Sequence, residues 1–554
     1  MHLDIAAKKQ NGKTYVRYLL RESYRENGKV KKRTIANISP CNEKEIQAIK
    51  LALEHKDNLA ALESIEGKLE CKQGLSVGAI VLLKSVAERL GISRSLGSGR
   101  EGKLALWQVM SRIIEQGSRL SAVRLARRHA ICDLIDLEYF NEDDLYKNLD
   151  WLSEQQRVIE KKLFNYRFQG KVKPNLYLYD VTSSYFEGVN NELAEWGYNR
   201  DRKRGKMQIV IGLLTDEEGI PVSVEVFKGN SNDLRTFTNQ VKKVADDFKI
   251  EEVTMVGDRG MIKTKQIKDL HEHNFHYITA LTKPQIETLI SSKIIDLELF
   301  DEDICEVENA GIRYILRRNP VRVSEIENNR QSKIKKIKTN IDWQNKYLNE
   351  HKRAKSSVAE GKIKKLIKKL RLTDFTSVEI EGKKLLLKID DNKKADTTLL
   401  DGCYVIKTDL TKGQVSDEVV HQRYKDLAMV ELGFRTMKTG LLETRPIYVQ
   451  KEKRTRGHVF VVMLAYCLIQ ELKKIWRDMD ITVEEGVNEL TAICSVEINI
   501  KGARYQKILK PAVLGRNLLK LADVTLPDVL AFKGVNVDTK KKLATERKQP
   551  IISI

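Results

Sequence analysis

Between residues 172 and 281 the sequence switches repeatedly between strand-like and helix-like apolar spacing. The first three predicted strands are joined by short turns, as in an antiparallel meander, whereas the later strands alternate with helices, as parallel strands with crossover connections do. The order βββαβαβ predicts an α/β fold with a mixed sheet and helices on its faces. In chain order we predict strands at 175–186, 207–215 and 221–228, a helix at 233–249, a strand at 252–257, a helix at 263–273 and a strand at 276–281.

The segments on either side of this region have patterns of their own. Asn27-Gly28 is a strong turn signal between two strand-like runs, and apolar spacing near 3.6 residues predicts helices in the segment that follows. We therefore divide the chain into a basic β-hairpin region (1–40), a helical domain for binding DNA ends (41–170), the first part of the core (171–284), a β-rich and lysine-rich insertion (285–412), the second part of the core (413–480) and a C-terminal region for dimerisation or DNA contact (481–554).

The charge of the chain indicates its partner. Lysine and arginine number 98 against 77 aspartates and glutamates, a net charge of +21, which favours a polyanion, with nucleic acid ahead of a membrane surface. The N-terminus lacks the apolar core of a signal peptide. The longest apolar run, 459–469, is too short to span a bilayer and predicts a buried helix. Seven scattered cysteines are typical of reduced thiols in a cytoplasmic protein.

Three acidic residues are the candidates for chemistry. Asp180 ends an apolar run in the first predicted strand, and Asp258 ends the run 253–258 in the fourth. Both aspartates are expected where a strand gives way to polar residues or glycine, and ligand sites of open α/β sheets gather beyond the strand carboxyl ends. Glu431 lies in a predicted helix over 416–438. An aspartate at a strand end is more often a turn or cap residue, so neither aspartate is decisive alone.

The helix that contains Glu431 carries a polar stripe. Tyr424, Glu431 and Lys438 are spaced seven residues apart, and positions seven apart drift only about 20° around a helix. Arg435 flanks the stripe, which would present a carboxylate between a phenol and an ammonium group. An amphipathic surface helix without function is the alternative. The adjacent arc is the predicted core face and contains Leu427, Val430, Phe434 and Met437.

Taken together, these residues resemble the DDE transposases of bacterial insertion sequences, which have a ribonuclease-H-like catalytic core. Asp180, Asp258 and Glu431 match the three acids of that family in order and in structural context. The helix resembles the Tyr-x2-Arg-x3-Glu-x6-Lys signature of the insertion-sequence family numbered four, with Leu427 in place of the arginine. That departure puts the phosphate contact of the arginine in doubt, and Arg423 or Arg435 would have to replace it.

Other features are similar to the branch numbered sixteen thirty-four. They are the N-terminal hairpin, Gly229-Asn230-x-x-Asp233 and Arg445-Pro446-Ile447-Tyr448, whereas the long insertion before Glu431 is typical of the family numbered four. The resemblance implies cut-and-paste DNA transposition in the cytoplasm of a bacterium, on the nucleoid, by a homodimer that binds terminal inverted repeats and target DNA. It further implies two Mg²⁺ ions, which Mn²⁺ is able to replace, held by Asp180, Asp258 and Glu431. Tyr424, Arg435, Lys438 and Arg259 are the implied DNA contacts.

Two other functions stay open at this point. A ribonuclease-H-like nuclease or resolvase would cut DNA without strand transfer, and a non-catalytic DNA-binding protein would have lost the reaction. Relatives also hold an extruded base on an aromatic residue of the insertion, for which Trp343 and Tyr404 are candidates, although core packing is the favoured role for Tyr404. Asn230, Asp233 and Arg259 would support the site or contact DNA, with turn and cap roles as the alternative.

Overall fold

The computed structural model describes most of the chain. The described residues are 1–10, 13–26, 28–54, 56, 69–188, 190–197, 203, 205–231, 233–444, 447–500, 503–530, 535 and 537–539. Within these ranges the protein is a mixed α/β structure, in which a large mixed sheet packs against helices from both ends of the chain. No helix in the described part combines the length and apolarity needed to cross a membrane.

The N-terminal residues form a three-stranded antiparallel sheet. The predicted hairpin is confirmed, because β2 pairs with β3 in a register that sets Glu26 opposite Lys29. Gly28 adopts a positive φ of 75°, as a tight turn requires, whereas Asn27 lies outside the described residues. Strand β3 is almost entirely exposed, so its basic side chains face solvent. The strands are β1 (His2–Gln10), β2 (Lys13–Glu26) and β3 (Lys29–Asn37).

The following segment is mainly helical, as predicted, but it contains one strand that the sequence did not indicate. Strand β4 (Leu69–Ser76) pairs antiparallel with a strand near the C-terminus, Cys494–Ile500. The spacing of apolar residues within a segment carries no information about a pairing partner more than 400 residues away. The helical prediction for these residues is therefore wrong. The helices are α1 (Glu43–Glu54), α2 (Gly78–Arg89), α3 (Ile92–Leu96), α4 (Arg100–Ile114), α5 (Arg119–Ala126), α6 (Ile131–Ile135) and α7 (Glu142–Arg167).

The predicted order βββαβαβ is confirmed in the central region. Strands β5, β6 and β7 are antiparallel, whereas β5 pairs in parallel with β8, and β8 with β9. Strand β5 therefore lies between the antiparallel and the parallel parts of the sheet. The elements are β5 (Leu176–Tyr185), β6 (Gln208–Asp216), β7 (Pro221–Lys228), α8 (Asp233–Asp246), β8 (Thr254–Gly257), α9 (Thr264–Glu272) and β9 (His276–Ala280).

The predicted insertion contributes to the same sheet. Strand β14 pairs antiparallel with β9, and β11 and β10 follow, which gives the eight-stranded order β10-β11-β14-β9-β8-β5-β6-β7. The division of the chain into domains stays a prediction. The elements are α10 (Lys283–Ser291), a 3₁₀ helix (Leu297–Asp301), β10 (Cys305–Asn309), β11 (Ile312–Arg318), α11 (Pro320–Glu350), α12 (Ser356–Leu370), β12 (Thr376–Glu381), β13 (Lys384–Ile389), α13 (Asp391–Thr398) and β14 (Cys403–Thr408).

Helices α11 and α12 and the β12–β13 hairpin enclose a small apolar core of their own. Five isoleucines of the two helices are buried in this core because they recur at helical spacing on one face: Ile334, Ile337, Ile341, Ile363 and Ile367. The lysines between them point away from that core. Exposed members of this lysine surface are Lys335, Lys336, Lys338, Lys362, Lys364, Lys365, Lys368 and Lys369.

The segment predicted as one helix over 416–438 is two helices, α14 (Asp417–Lys425) and α15 (Leu427–Lys438). They meet at Asp426, whose carbonyl accepts the N–H of Met429 at 2.8 Å. Such a bond over three residues tightens the turn as in a 3₁₀ helix, while φ and ψ of −61° and −15° keep Asp426 in the right-handed helical region.

Helix α16 (Glu452–Ile475) runs through the centre of the main core. The predicted buried run is confirmed, since residues 459–469 are all buried, and α16 packs on α7, α4 and β7. At Gly457 it approaches α7 so closely that a Cβ atom would lie 2.2 Å from the carbonyl oxygen of Leu149. The chain continues through α17 (Val483–Thr491), β15 (Cys494–Ile500), β16 (Ala503–Ile508) and α18 (Val513–Leu521).

Candidate active site

The two aspartates lie side by side at one edge of the paired region between β5 and β8. The parallel register ends with Tyr179 opposite Gly257, so Asp180 and Asp258 are the next residues on the two strands. Asp258 follows the end of β8, as predicted. Asp180 instead lies inside β5, which corrects the expectation that it ends a strand, because residues 180–185 continue to pair with β6.

Local hydrogen bonds orient both carboxylates. Asp180 Oδ1 accepts the N–H of Val181 at 2.7 Å, and Asp258 Oδ1 accepts the N–H of Arg259 at 2.7 Å. Asp258 also starts a turn, in which its carbonyl accepts the N–H of Met261 at 2.9 Å. Asp258 is exposed and Asp180 half-buried, so both acids are accessible from the same side of the sheet.

Tyr424 of α14 joins this pair. Its hydroxyl group donates to Asp258 Oδ1 at 3.2 Å. Burial raises the pKa of the Tyr424 phenol, and the negative charges of Asp258 and then of Asp180 raise it further, although Arg259 acts in the opposite direction. The phenol therefore stays protonated and is a hydrogen-bond donor to the acidic pair.

Lys438, at the other end of the stripe, reaches β5. Its Nζ donates to Thr182 Oγ1 at 2.5 Å, and its side chain is buried. Thr182 lies two residues after Asp180, and alternate residues of a strand share a face. Lys438 thus fixes the end of α15 beside the strand that carries the first acid.

Glu431 lies midway along α15 between these two anchored positions. Its side chain is exposed, and within the described ranges its carboxylate has no hydrogen-bond partner. Among the residues that the structure describes, no three carboxylate, imidazole or thiolate groups lie close enough together to hold a metal ion. The structure therefore brings Asp180 and Asp258 together and sets the helix of Glu431 against them.

The arginines near the site differ in their availability. Arg259 and Arg435 are exposed, and in the described part of the chain the Arg435 side chain makes no ion pair or hydrogen bond. Arg423 is engaged, with its Nη2 3.1 Å from Glu217 Oε2. Leu427, at the signature arginine position, packs against the main core. Of the two proposed replacements for the missing arginine, Arg435 is thus the one that is available.

Other predicted residues lie elsewhere. Trp343 is exposed and stacks on Tyr347 with ring centroids 5.9 Å apart, whereas Tyr404 stacks on His421 beside the core. Asn230 is exposed. The structure describes the backbone of Asp233 but not its side chain, and Arg445 and Pro446 lie outside the described residues.

One charged cluster was not predicted from the sequence. Arg119 and His458 are buried and contact each other, although arginine is a residue type that is usually exposed. The signal that would have revealed the cluster is weak, because the two partners are 339 residues apart in the chain.

Comparison with known proteins identifies the family of this chain. A family model described as "IS1634 family transposase, N-terminal domain" matches residues 3–63, and one described as "Transposase DDE domain" matches residues 172–468. No curated protein matches in sequence. Among solved structures, a cryo-EM structure of a piggyBac transposase synaptic complex with hairpin DNA aligns over 75% of this chain and 76% of that chain, at 8% identity and a TM-score of 0.34. Because the DDE domain covers more than half of the sequence and contains all three acids, the chain belongs to the DDE transposase family, as an IS1634-like member.

Proposed function

We propose that this DNA transposase cuts and joins DNA strands at the edge formed by Asp180, Asp258 and Glu431. The observation that carries the proposal is the register of β5 and β8, which makes the two aspartates neighbours. Two further contacts support it, one from Tyr424 of α14 to Asp258 and one from Lys438 of α15, the helix of Glu431, to Thr182. The spatial order β7-β6-β5-β8-β9 supports a ribonuclease-H-like core around this edge.

Transposase DDE domains generally use divalent metal ions, and the donors at this edge suit them. Carboxylate oxygens are the ligands that hard cations prefer, and Asp180, Asp258 and Glu431 offer three carboxylates on one side of the sheet. We propose two Mg²⁺ ions, replaceable by Mn²⁺, held by these three carboxylates. Bound there, the ions would activate the attacking oxygen and stabilise the leaving oxygen.

The residues around the acids have positioning tasks. Tyr424 keeps the carboxylate of Asp258 in place through its hydroxyl group, and Lys438 keeps the helix of Glu431 against β5. Exposed Arg259 and Arg435 would bind DNA phosphates near the scissile bond, since arginine matches phosphate geometry in a bidentate manner. Positioning of strand and nucleophile in line contributes much of the rate in phosphoryl transfer.

The remainder of the chain would bind the DNA. The N-terminal sheet and the lysine surface of α11 and α12 are exposed and basic, and phosphate contacts from such surfaces fix the register of a protein on DNA. We propose that the N-terminal and helical regions bind terminal inverted repeats, and that a homodimer pairs two ends. The setting is the nucleoid of a bacterial cell, where insertion sequences move.

The test uses the full-length protein with DNA that carries its own flanking inverted repeats and Mg²⁺. Asp180→Asn, Asp258→Asn and Glu431→Gln should each reduce strand cleavage by at least about 100-fold, because a lost ligand weakens charge stabilisation in the transition state. Asp478→Asn, at a carboxylate that is 87% exposed, is the matched control and should cleave like the wild type.

The products separate the alternatives. Joined products in the wild type support transposition, whereas cleavage without joining would establish a nuclease or resolvase. Normal cleavage by any one of the three carboxylate variants would remove that residue from the site. DNA binding without cleavage by the wild type would identify a non-catalytic protein.

A further inference from the structure

A polar cavity of about 570 Å³ lies behind the catalytic helix, between the N-terminal helices and the chain segment after α15. Its lining includes Arg112, Arg119 and His458, with exposed Tyr448 and Lys451 at the rim. None of the three acids lines it. Cavities of roughly 300–1,000 Å³ are the size that holds small-molecule groups, so this one has room for a nucleotide unit.

Arg119 contributes a buried charge to this cavity. It is 5% exposed, and it donates from Nη1 to Gln108 Oε1 at 2.6 Å and from Nη2 to His458 Nδ1 at 2.8 Å. Burial and the two neighbouring guanidinium groups hold the pKa of His458 well below its usual value, so the imidazole is neutral and accepts this bond. Both partners of Arg119 are therefore uncharged.

Arg112 adds a second buried charge with uncharged partners. It is 7% exposed and donates to the carbonyl oxygens of Leu442, Gly117 and Glu443, at 2.7, 2.9 and 2.5 Å. In the described residues neither guanidinium group forms an ion pair, and the one acidic side chain in the lining, Glu443, is exposed. Burying a charge without a counter-charge is unfavourable, so two such charges favour an anion in the cavity.

Helix termini add to the positive potential. Ser118 is the N-cap of α5 and Lys451 the N-cap of α16, and both line the cavity. The N-terminal end of a helix carries a partial positive charge that favours anions. Two guanidinium groups and two helix N-termini thus converge on one polar space.

The cavity is linked directly to the catalytic helix. Thr444 donates from its N–H to the carbonyl oxygen of Met437 at 2.9 Å, so the segment after Lys438 folds back on α15. Arg112 holds the same segment through Leu442 and Glu443. The rim residue Tyr448 lies a few residues further along this segment.

We propose that this cavity binds a phosphodiester group of the DNA, with Arg112 and Arg119 opposite the phosphate and Tyr448 beside its sugar or base. The assignment rests on the proposed function, since it requires DNA along the side of α15 that faces this segment. The residues of this site are not those of the proposed active site. They come from the N-terminal helices and from α16 rather than from the acidic edge.

The first experiment measures the site without catalysis. Inorganic phosphate at constant ionic strength should raise the melting temperature of the full-length protein by about 1–3 °C, because a ligand that binds only the folded state stabilises it. Arg119→Met and Lys451→Gln should remove most of this shift, whereas Glu431→Gln should retain it. Arg313→Met, a buried arginine paired with Glu306 at 2.8 Å, is the matched control for loss of a buried cation.

The second experiment uses a short DNA duplex of the inverted repeat. Arg119→Met should weaken binding about tenfold and reduce the slope of log Kd against log salt by about one, as expected for one lost phosphate contact. Equal phosphate shifts in the wild type and Arg119→Met, or no shift in the wild type, would overturn the proposal. The rise in melting temperature with phosphate could depend on Arg119 while the slope of log Kd against log salt for DNA stays unchanged. That result would assign the site to free phosphate and overturn the DNA assignment. Cleavage by the wild type is tested separately, so failure here leaves the proposed catalysis standing.

Discussion

At the scale of single residues, Tyr424 offers the sharpest test of the site. Tyr424→Phe removes only the hydroxyl group that binds Asp258 and keeps the half-buried ring. Loss of a group that orients a metal-binding carboxylate typically costs 10–100-fold in affinity or activity, so we expect a decrease of roughly that size in cleavage rate and in Mn²⁺ affinity. The melting temperature should change little, because the ring still packs.

The control for this substitution is Tyr139→Phe, at a tyrosine that is 48% exposed and distant in sequence from the acids. It should leave both cleavage and ion affinity unchanged. Because the pKa of Tyr424 is raised, its phenol stays protonated beyond about pH 10, the usual tyrosine value. Wild-type cleavage by Tyr424→Phe would show that the hydrogen bond to Asp258 has no part in the reaction.

At the scale of elements, two mid-helix glycines predict opposite effects of one substitution. Gly457→Ala should destabilise the protein by about 1–3 kcal/mol, because its Cβ would lie 2.2 Å from the backbone oxygen of Leu149 and force α16 away from α7. Gly361→Ala in α12 meets nothing within 4 Å and should stabilise by about 0.5–1 kcal/mol through helix propensity.

Thermal or urea denaturation of the two glycine variants measures both effects. Each variant serves as the control for the other, because both substitutions add one methyl group inside a helix. A stability of Gly457→Ala equal to that of the wild type would mean that α16 and α7 do not approach as closely as the structure has them.

The lysine surface on α11 and α12 predicts a purely electrostatic effect on DNA binding. Lys364→Gln, Lys365→Gln and Lys368→Gln together should weaken binding to any duplex and reduce the salt slope by up to about three, because each lysine that contacts a phosphate releases about one counterion. The fold should persist, since these side chains are exposed. Fluorescence anisotropy over a salt series measures the slope, and an unchanged slope would place the DNA elsewhere.

At the scale of the whole molecule, the parts predicted from the sequence are those that depend on local pattern. The order βββαβαβ and the helical conformation around Tyr424, Glu431 and Lys438 were predictable because strands and helices repeat their apolar residues with periods of two and 3.6. The pairing of β4 with β15 and of β14 with β9 depends on partners far along the chain. The buried contact between Arg119 and His458 is equally non-local, and no local pattern distinguishes a buried arginine from one on a basic surface.

Buried histidines in distant parts of the molecule predict how its stability depends on pH. Burial and nearby cations lower the pKa of His421 to about 4 and hold that of His458 well below its usual value. The unfolded chain binds protons below about pH 6.5, whereas these folded sites remain neutral. Stability is therefore complete above about pH 6.5 and decreases as the pH falls toward the folded-state values, by up to about 1.4 kcal/mol per histidine and pH unit.

Melting temperatures between pH 7.5 and 5 measure this dependence, in a range above that in which most carboxylates titrate. His421→Gln removes one titrating group and should flatten the decrease relative to the wild type, even if it lowers stability at every pH by breaking the contact with Tyr404. The difference in slope isolates the histidine, because all other groups are shared. Parallel pH profiles for the two proteins would mean that His421 is protonated as easily in the folded chain as in the unfolded one, which would contradict its burial beside Arg317 and Lys425.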